Sequence, residues 1–77
     1  MNYNEFKFEL KLGREVEFSL SGKEYFISHD EIKYNIWDEN EKKHICIGEL
    51  DEILEFKFKD GISLKDNFEK FVIKYIL

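Results

Sequence analysis

The stretch "GREVEFSLSGKEYFIS", Gly13 to Ser28, constrains the fold more than any other part of the chain. Val16, Phe18 and Leu20 alternate with Glu15, Glu17 and Ser19, so one face of an extended strand is apolar and the other polar. After the Ser21-Gly22-Lys23 turn signal, Tyr25 and Ile27 continue the apolar face. A two-residue turn at Ser21-Gly22 sets Phe18 opposite Tyr25 and Val16 opposite Ile27. A turn at Gly22-Lys23 sets Leu20 opposite Tyr25 and Phe18 opposite Ile27. Both registers keep the face intact, so an antiparallel hairpin with one buried side follows while its register stays open. Phe26 stands alone on the polar side, either under a helix or exposed for binding.

The rest of the chain must supply what covers this hairpin. At 77 residues there is one domain at most, residues 1–77, and a chain of this length buries only about 60% of its unfolded surface. Eight Phe, four Tyr and one Trp are therefore the natural core formers, since aromatic side chains bury the most area each. Cys46 is the only cysteine, which excludes an internal disulfide. The first twelve residues interleave charged and apolar residues, unlike a secretory leader, and no apolar run reaches membrane-spanning length. A cytoplasmic protein with no membrane partner is expected. The lack of Pro beside abundant Lys, Glu, Ile, Asn, Phe and Tyr fits the coding bias of an AT-rich genome.

In "NYNEFKFELKLG" two periods compete. Tyr3, Phe6 and Leu10 recur at helical spacing, whereas Phe6, Phe8, Leu10 and Leu12 alternate like a strand. Asn2 or Asn4 suits a helix N-cap and Gly13 a position just past its end, which favours a short helix. "IKYNIWD" reads as a third strand with Ile32, Tyr34 and Ile36 on one side and Lys33, Asn35 and Trp37 on the other. The polar "DENEKK" then forms a hairpin loop. "HICI" follows as a fourth strand with Ile45 and Ile47 inward and His44 and Cys46 together on the opposite face. From Gly48 the period changes: Leu50, Ile53 and Leu54 form a helical stripe, with Glu49, Asp51 and Glu52 at its dipole-positive start. Leu54, Phe56 and Phe58 alternate, so a strand at the end of this segment is also open. "KDG" marks a turn, Ser63 and Asp66 have capping spacing before Phe68 and Phe71, and "FVIKYIL" suits a final strand zipped onto the sheet. The expected fold class is α+β: an antiparallel meander of four to five strands packed against two or three short helices.

The segments "EF...L..G", "GREVEFSLSGKEYFIS", "ELDEIL" and "DG..L.D......I.YI" together resemble a group of small proteins from low-GC Gram-positive bacteria and their phages and mobile elements. The resemblance covers Glu5, Phe6, Leu10, Gly13 to Ser28, Glu49 to Leu54 and Asp60 to Ile76. Its motifs are structural and imply no activity. In that group the first segment is more plainly helical, which adds to the helix reading. Phe8 and Leu12 depart from that pattern.

Chemical constellations are sparse. His44 and Cys46, two apart on a strand, could start a metal site, but a closed zinc site needs four ligands and only His29 or carboxylates remain. A thiol nucleophile with His44 or His29 as base lacks an orienting third group and an oxyanion site. Asp30/Glu31 and Glu39/Glu41 sit near turns, where solvated charge is ordinary. There is no Gly-rich phosphate loop and no basic stripe. The expectation is a non-enzyme with no cofactor, no metal and no direct contact with nucleic acid.

Charge speaks more clearly about partners. The net charge is −5, and residues 24–55 carry ten acids against Lys33, Lys42 and Lys43. Such a field repels phosphates and attracts a basic surface; it also serves solubility. Trp37 lies on the polar side of strand three beside the acidic loop, and an uncovered Trp there is a typical anchor for a protein partner. The simpler alternative is a helix packed on it. These features point to a non-catalytic, acidic protein-binding module, with Trp37, Phe26, Asp38, Glu39, Glu41, Glu49, Asp51, Glu52 and Glu55 as candidate contacts. In the setting the resemblance suggests, its target is a host nucleic-acid-processing or defence protein with a basic surface. The competing expectation is an oligomer binding a small, nucleotide-like signal between subunits, with Tyr25, Tyr34 and Trp37 as lining. A monomer or a homodimer is compatible with the first reading.

Overall fold

The computed structural model describes all 77 residues. Helix α1 spans Tyr3–Lys11, followed by strands β1 Val16–Leu20, β2 Lys23–His29, β3 Tyr34–Asp38 and β4 Lys43–Gly48. Helices α2 Leu50–Glu55 and α3 Leu64–Asn67, a 3₁₀ turn Phe68–Lys70 and β5 Val72–Ile76 complete the chain. The fold is α+β, a five-stranded antiparallel sheet in the order β4-β3-β2-β1-β5 with three short helices packed on it. No helix is long and apolar enough to cross a membrane.

The period conflict in the first segment resolves to a helix because its ends are chemically closed. Asn2 Oδ1 accepts from the Glu5 amide at 2.8 Å, and Glu5 Oε1 accepts from the Asn2 amide at 3.0 Å, a reciprocal capping box. At the other end Gly13, at φ +84°, turns the chain back to donate to Leu10 O. A helix can bury Phe6 and Leu10 only by leaving Phe8 on its far side, where it is 58% exposed.

The β1-β2 hairpin takes the Ser21-Gly22 turn, both residues at positive φ (52° and 79°), and pairs Phe18 with Tyr25 and Val16 with Ile27. Its apolar face carries the core. Phe18 is fully buried, stacked on Phe71 at 4.2 Å and on Tyr25 at 5.6 Å. Phe6 reaches the same cluster through Phe68, with ring centroids 5.0 Å apart. Tyr34 pins α1 to the sheet by donating its hydroxyl to Leu10 O at 2.9 Å.

Two expectations for strands three and four change. Ile32 does not join β3. Asp30 Oδ1 accepts from the amides of Ile32 and Lys33 at 3.0 and 2.8 Å, closing a turn that leaves Ile32 74% exposed. In β4 the register slips between the pairs Trp37↔His44 and Ile36↔Cys46, so Ile45 is an extra, bulged residue. Past the bulge the alternation inverts. Ile45 and Cys46 both pack toward the core, Ile47 points outward at 61% exposure, and His44 and Cys46 do not share a face.

The chain's last third explains the strand order. α2 contributes Ile53 and Leu54 to the core and α3 contributes Leu64, while Phe68 seals the end of the helical layer. Ser63 Oγ caps α3 by accepting from the Asp66 amide at 3.1 Å. In place of a strand at residues 54–58 there is only an isolated bridge, Lys57↔Ser63. Crossing the sheet under these helices brings β5 to the far edge, antiparallel to β1. All helical cover therefore lies on one face of the sheet.

Candidate functional site

The other face of the sheet carries no helix, and the pairing registers arrange its side chains in rows across the strands. The central row runs Tyr75, Glu17, Phe26, Trp37, His44. On one side lie Val72, Ser19, Glu24 and Glu39; on the other lie Ser28, Asn35 and Ile47. Phe26 and Trp37 are direct cross-strand partners, which is why they share one environment. Both are half-buried by their neighbours alone, and the flanking Tyr75 and Ile47 are about as exposed as surface residues, at 62% and 61%.

The indole of Trp37 is held in place from two sides. Its Nε1–H donates to Glu39 Oε2 at 2.8 Å, and the His44 ring meets it edge-on at 4.9 Å. Glu39 also pairs with Lys42, and the Lys42 and Trp37 bonds together hold its carboxyl below the usual carboxylate range. A shallow hollow of about 400 Å³ lies here, lined by Glu17, Glu24, Tyr25, Phe26, Trp37 and Glu39. Glu24 pairs with Lys74, which the bulge in β5 turns to this face, and that carboxylate raises the Lys74 ammonium above its ordinary value. Glu17, between Phe26 and Tyr75, has no ion-pair partner.

The fold splits the nine residues singled out in the sequence. Phe26, Trp37 and Glu39 come together in this hollow. Asp38 does not join them: it points to the core side, opposite Tyr25, and is 6% exposed. Its Oδ1 accepts from the Asn40 amide, the Asn40 side chain and the Glu41 amide at 2.9 to 3.0 Å, which shapes the β3-β4 turn. Burial works to raise its pKa, yet the Glu41 and Asn40 bonds together keep it low. Glu41 turns away toward Lys43 and Lys59. Glu49, Asp51, Glu52 and Glu55 lie in the helical layer on the opposite side of the sheet. There Glu52 Oε1 accepts from the Glu49 amide at 3.0 Å and caps α2, and Glu49 pairs with Lys33 at 3.5 Å. Desolvation, then Glu55 and Asp51, raise the Tyr3 phenol above its ordinary value.

Glu17 and Glu24 were readable from hairpin parity alone, as both alternate with the apolar face. Tyr75 carried no such signal, because its place depends on β5 pairing with β1 and on the bulge at Lys74. Burial, then Glu52, push the Cys46 thiol up, away from thiolate formation. Comparison with protein-family models, curated proteins and solved structures finds no match.

Proposed function

We propose that the chain is a non-catalytic protein-binding module that uses the open face of its sheet to engage a basic surface on a partner. The observation that carries this reading is the in-register row Tyr75, Glu17, Phe26, Trp37, His44 on a face no helix covers, bordered by Glu24 and Glu39. A Trp fixed by Glu39 and His44 loses little freedom on binding, and such rigid aromatics dominate interface energetics. The unpaired Glu17 carboxylate beside them selects for positive charge in the partner.

The edges support a face-on mode. Both edge strands carry a bulged residue, Ile45 in β4 and Lys74 in β5, and bulges blunt edges against strand addition. A second copy of the chain is a poor occupant, because an isologous pairing of this face buries two unpaired Glu17 carboxylates in one interface. In the phage or mobile-element setting that the sequence resemblance suggests, the partner is a host nucleic-acid-processing or defence protein whose basic groove the module occludes.

The test is affinity capture from host lysate with three proteins: the parent, a Glu17→Lys/Trp37→Ala variant, and an Asp51→Lys/Glu55→Lys variant altered on the helical layer. The reading expects a salt-sensitive partner that is lost with the open-face variant and retained with the helical one. Capture that survives the open-face changes, or no capture by folded parent protein, overturns it.

A further inference from the structure

A second hollow, on the helical side of the sheet, has a different chemistry. It measures about 250 Å³ and lies between the β3-β4 hairpin and the segment that follows α2. Its walls are apolar: Ile45 from β4, with Phe56 and Phe58 meeting edge-to-face at 5.2 Å and 86°. Tyr25 closes it from β2, 8% exposed and edge-on to Phe58 at 5.1 Å.

Two features of this hollow are unexplained by folding. The Tyr25 hydroxyl takes no hydrogen bond from or to the protein, although a phenol this buried ordinarily has a partner. It is also not sealed away, since the one sealed side-chain polar atom without a partner is Asn67 Oδ1. The hydroxyl therefore opens into the hollow. The second feature is charge. Lys43, Lys57 and Lys59 all line the hollow, together with Asp38 and Glu41, in a protein whose net charge is −5. Glu41 pairs with Lys43 and Lys59 at 3.8 and 3.5 Å, and Lys57 forms no ion pair.

We infer that this hollow is a binding site for a small planar molecule with one anionic group, an aryl phosphate or aryl carboxylate. Its ring lies against Phe56, Phe58 and Ile45, its anion pairs with Lys57, and an acceptor atom takes the Tyr25 hydroxyl proton. A phenyl-sized ring with one such group fits the volume, whereas a dinucleotide does not. The site lies on the other side of the sheet from the open face and shares only Tyr25 with the hollow there.

The experiment is a titration of ¹⁵N-labelled protein with phenyl phosphate, benzoate, benzyl alcohol and benzylamine, followed by amide shifts. Saturable shifts at Tyr25, Ile45, Lys57 and Phe58 are expected with phenyl phosphate or benzoate, and the tighter of the two identifies the anion. Benzyl alcohol should bind at least about tenfold more weakly and benzylamine not at all, given the strength of a charge-assisted bond. Lys57→Gln should weaken the anion by about tenfold, while Lys33→Gln, on the α2 side, leaves it unchanged. Tyr25→Phe should weaken binding yet melt at or above the parent temperature, because the hydroxyl it removes has no partner in the protein. Absence of saturable shifts with both anions, equal binding of benzylamine, indifference to Lys57→Gln, or a lowered melting temperature for Tyr25→Phe would each overturn the assignment.

Discussion

The first helix offers the sharpest check on how this chain reads, because helix and strand predict opposite fates for two neighbouring phenylalanines. Phe6 is fully buried against Phe68 at 5.0 Å and Phe71 at 6.1 Å, whereas Phe8 is more than half exposed. Truncating a buried Phe to Ala costs about 3–5 kcal/mol, and an exposed site away from special features changes stability by no more than about 0.5 kcal/mol. A domain of this length has a total stability of roughly 4–12 kcal/mol, so Phe6→Ala removes a large share of it. At about 4–8 °C per kcal/mol the melting temperature falls by at least about 12 °C, while Phe8→Ala barely moves it. Urea unfolding followed by far-UV circular dichroism and by Trp37 fluorescence measures both. If Phe6→Ala fails to fold, Phe6→Leu, with an expected cost of about 1–2 kcal/mol, keeps the comparison with Phe8→Leu intact. A strand would place Phe6 and Phe8 on one face. Similar costs at the two positions would therefore refute the helix and the core built on it.

At the hairpin tip, Ser21→Asn should raise stability by about 0.5 kcal/mol, since Asn tolerates the left-handed conformation better than Ser. Gly22→Ala should lower stability by about 1 kcal/mol for the converse reason, both read from thermal melts. A Cβ at Gly48 lies 2.8 Å from the Glu52 carboxyl group, so Gly48→Ala must push that side chain off its cap on Glu49. The expected cost is about 1 kcal/mol, and a double-mutant cycle should show that Glu52→Ala removes most of it. For Asp38 the folded-state pKa is depressed by its turn bonds, so its contribution is present above the ordinary carboxylate value and disappears as pH falls through the folded one. Stability measured from pH 6 down to about pH 2 should thus fall more steeply for the parent than for Asp38→Asn, and parallel curves would count against that role. Iodoacetamide should alkylate Cys46 more slowly than a free thiol at pH 7, because burial and Glu52 disfavour its thiolate.

Local rules sufficed for the first hairpin and for two helix starts. Hairpin parity placed Val16, Phe18, Leu20, Tyr25 and Ile27 in the core, and it left Phe26 and Trp37 on the other side, where β2 and β3 pair them. Capping chemistry at Asn2 and Ser63 marked two helix starts that the structure contains. The failures have separate causes. Strict alternation from Ile45 to Ile47 assumes an unbroken register, and the bulge at Ile45 breaks it, sending Cys46 inward and Ile47 outward. Ile32 looked like strand because it is apolar, but the Asp30 carboxylate captures the next amides first. The acidic middle read as one surface. Asp38, Glu41 and the α2 acids nevertheless part from Glu39, because a sheet has two faces and the helices occupy only one.

By itself the sequence determined the hairpin with its buried face, the α+β class and the acidic balance, which follow from composition, short-range periodicity and turn chemistry. Tertiary structure alone decided that β5 pairs with β1 and that every helix falls on one side of the sheet. The same long-range pairing gathered Tyr75, Glu17, Phe26, Trp37 and His44 into one row and brought Tyr25, Ile45 and Phe58 to one hollow. Those arrangements join residues dozens of positions apart, and what selects them is burial of one shared apolar face rather than any local preference.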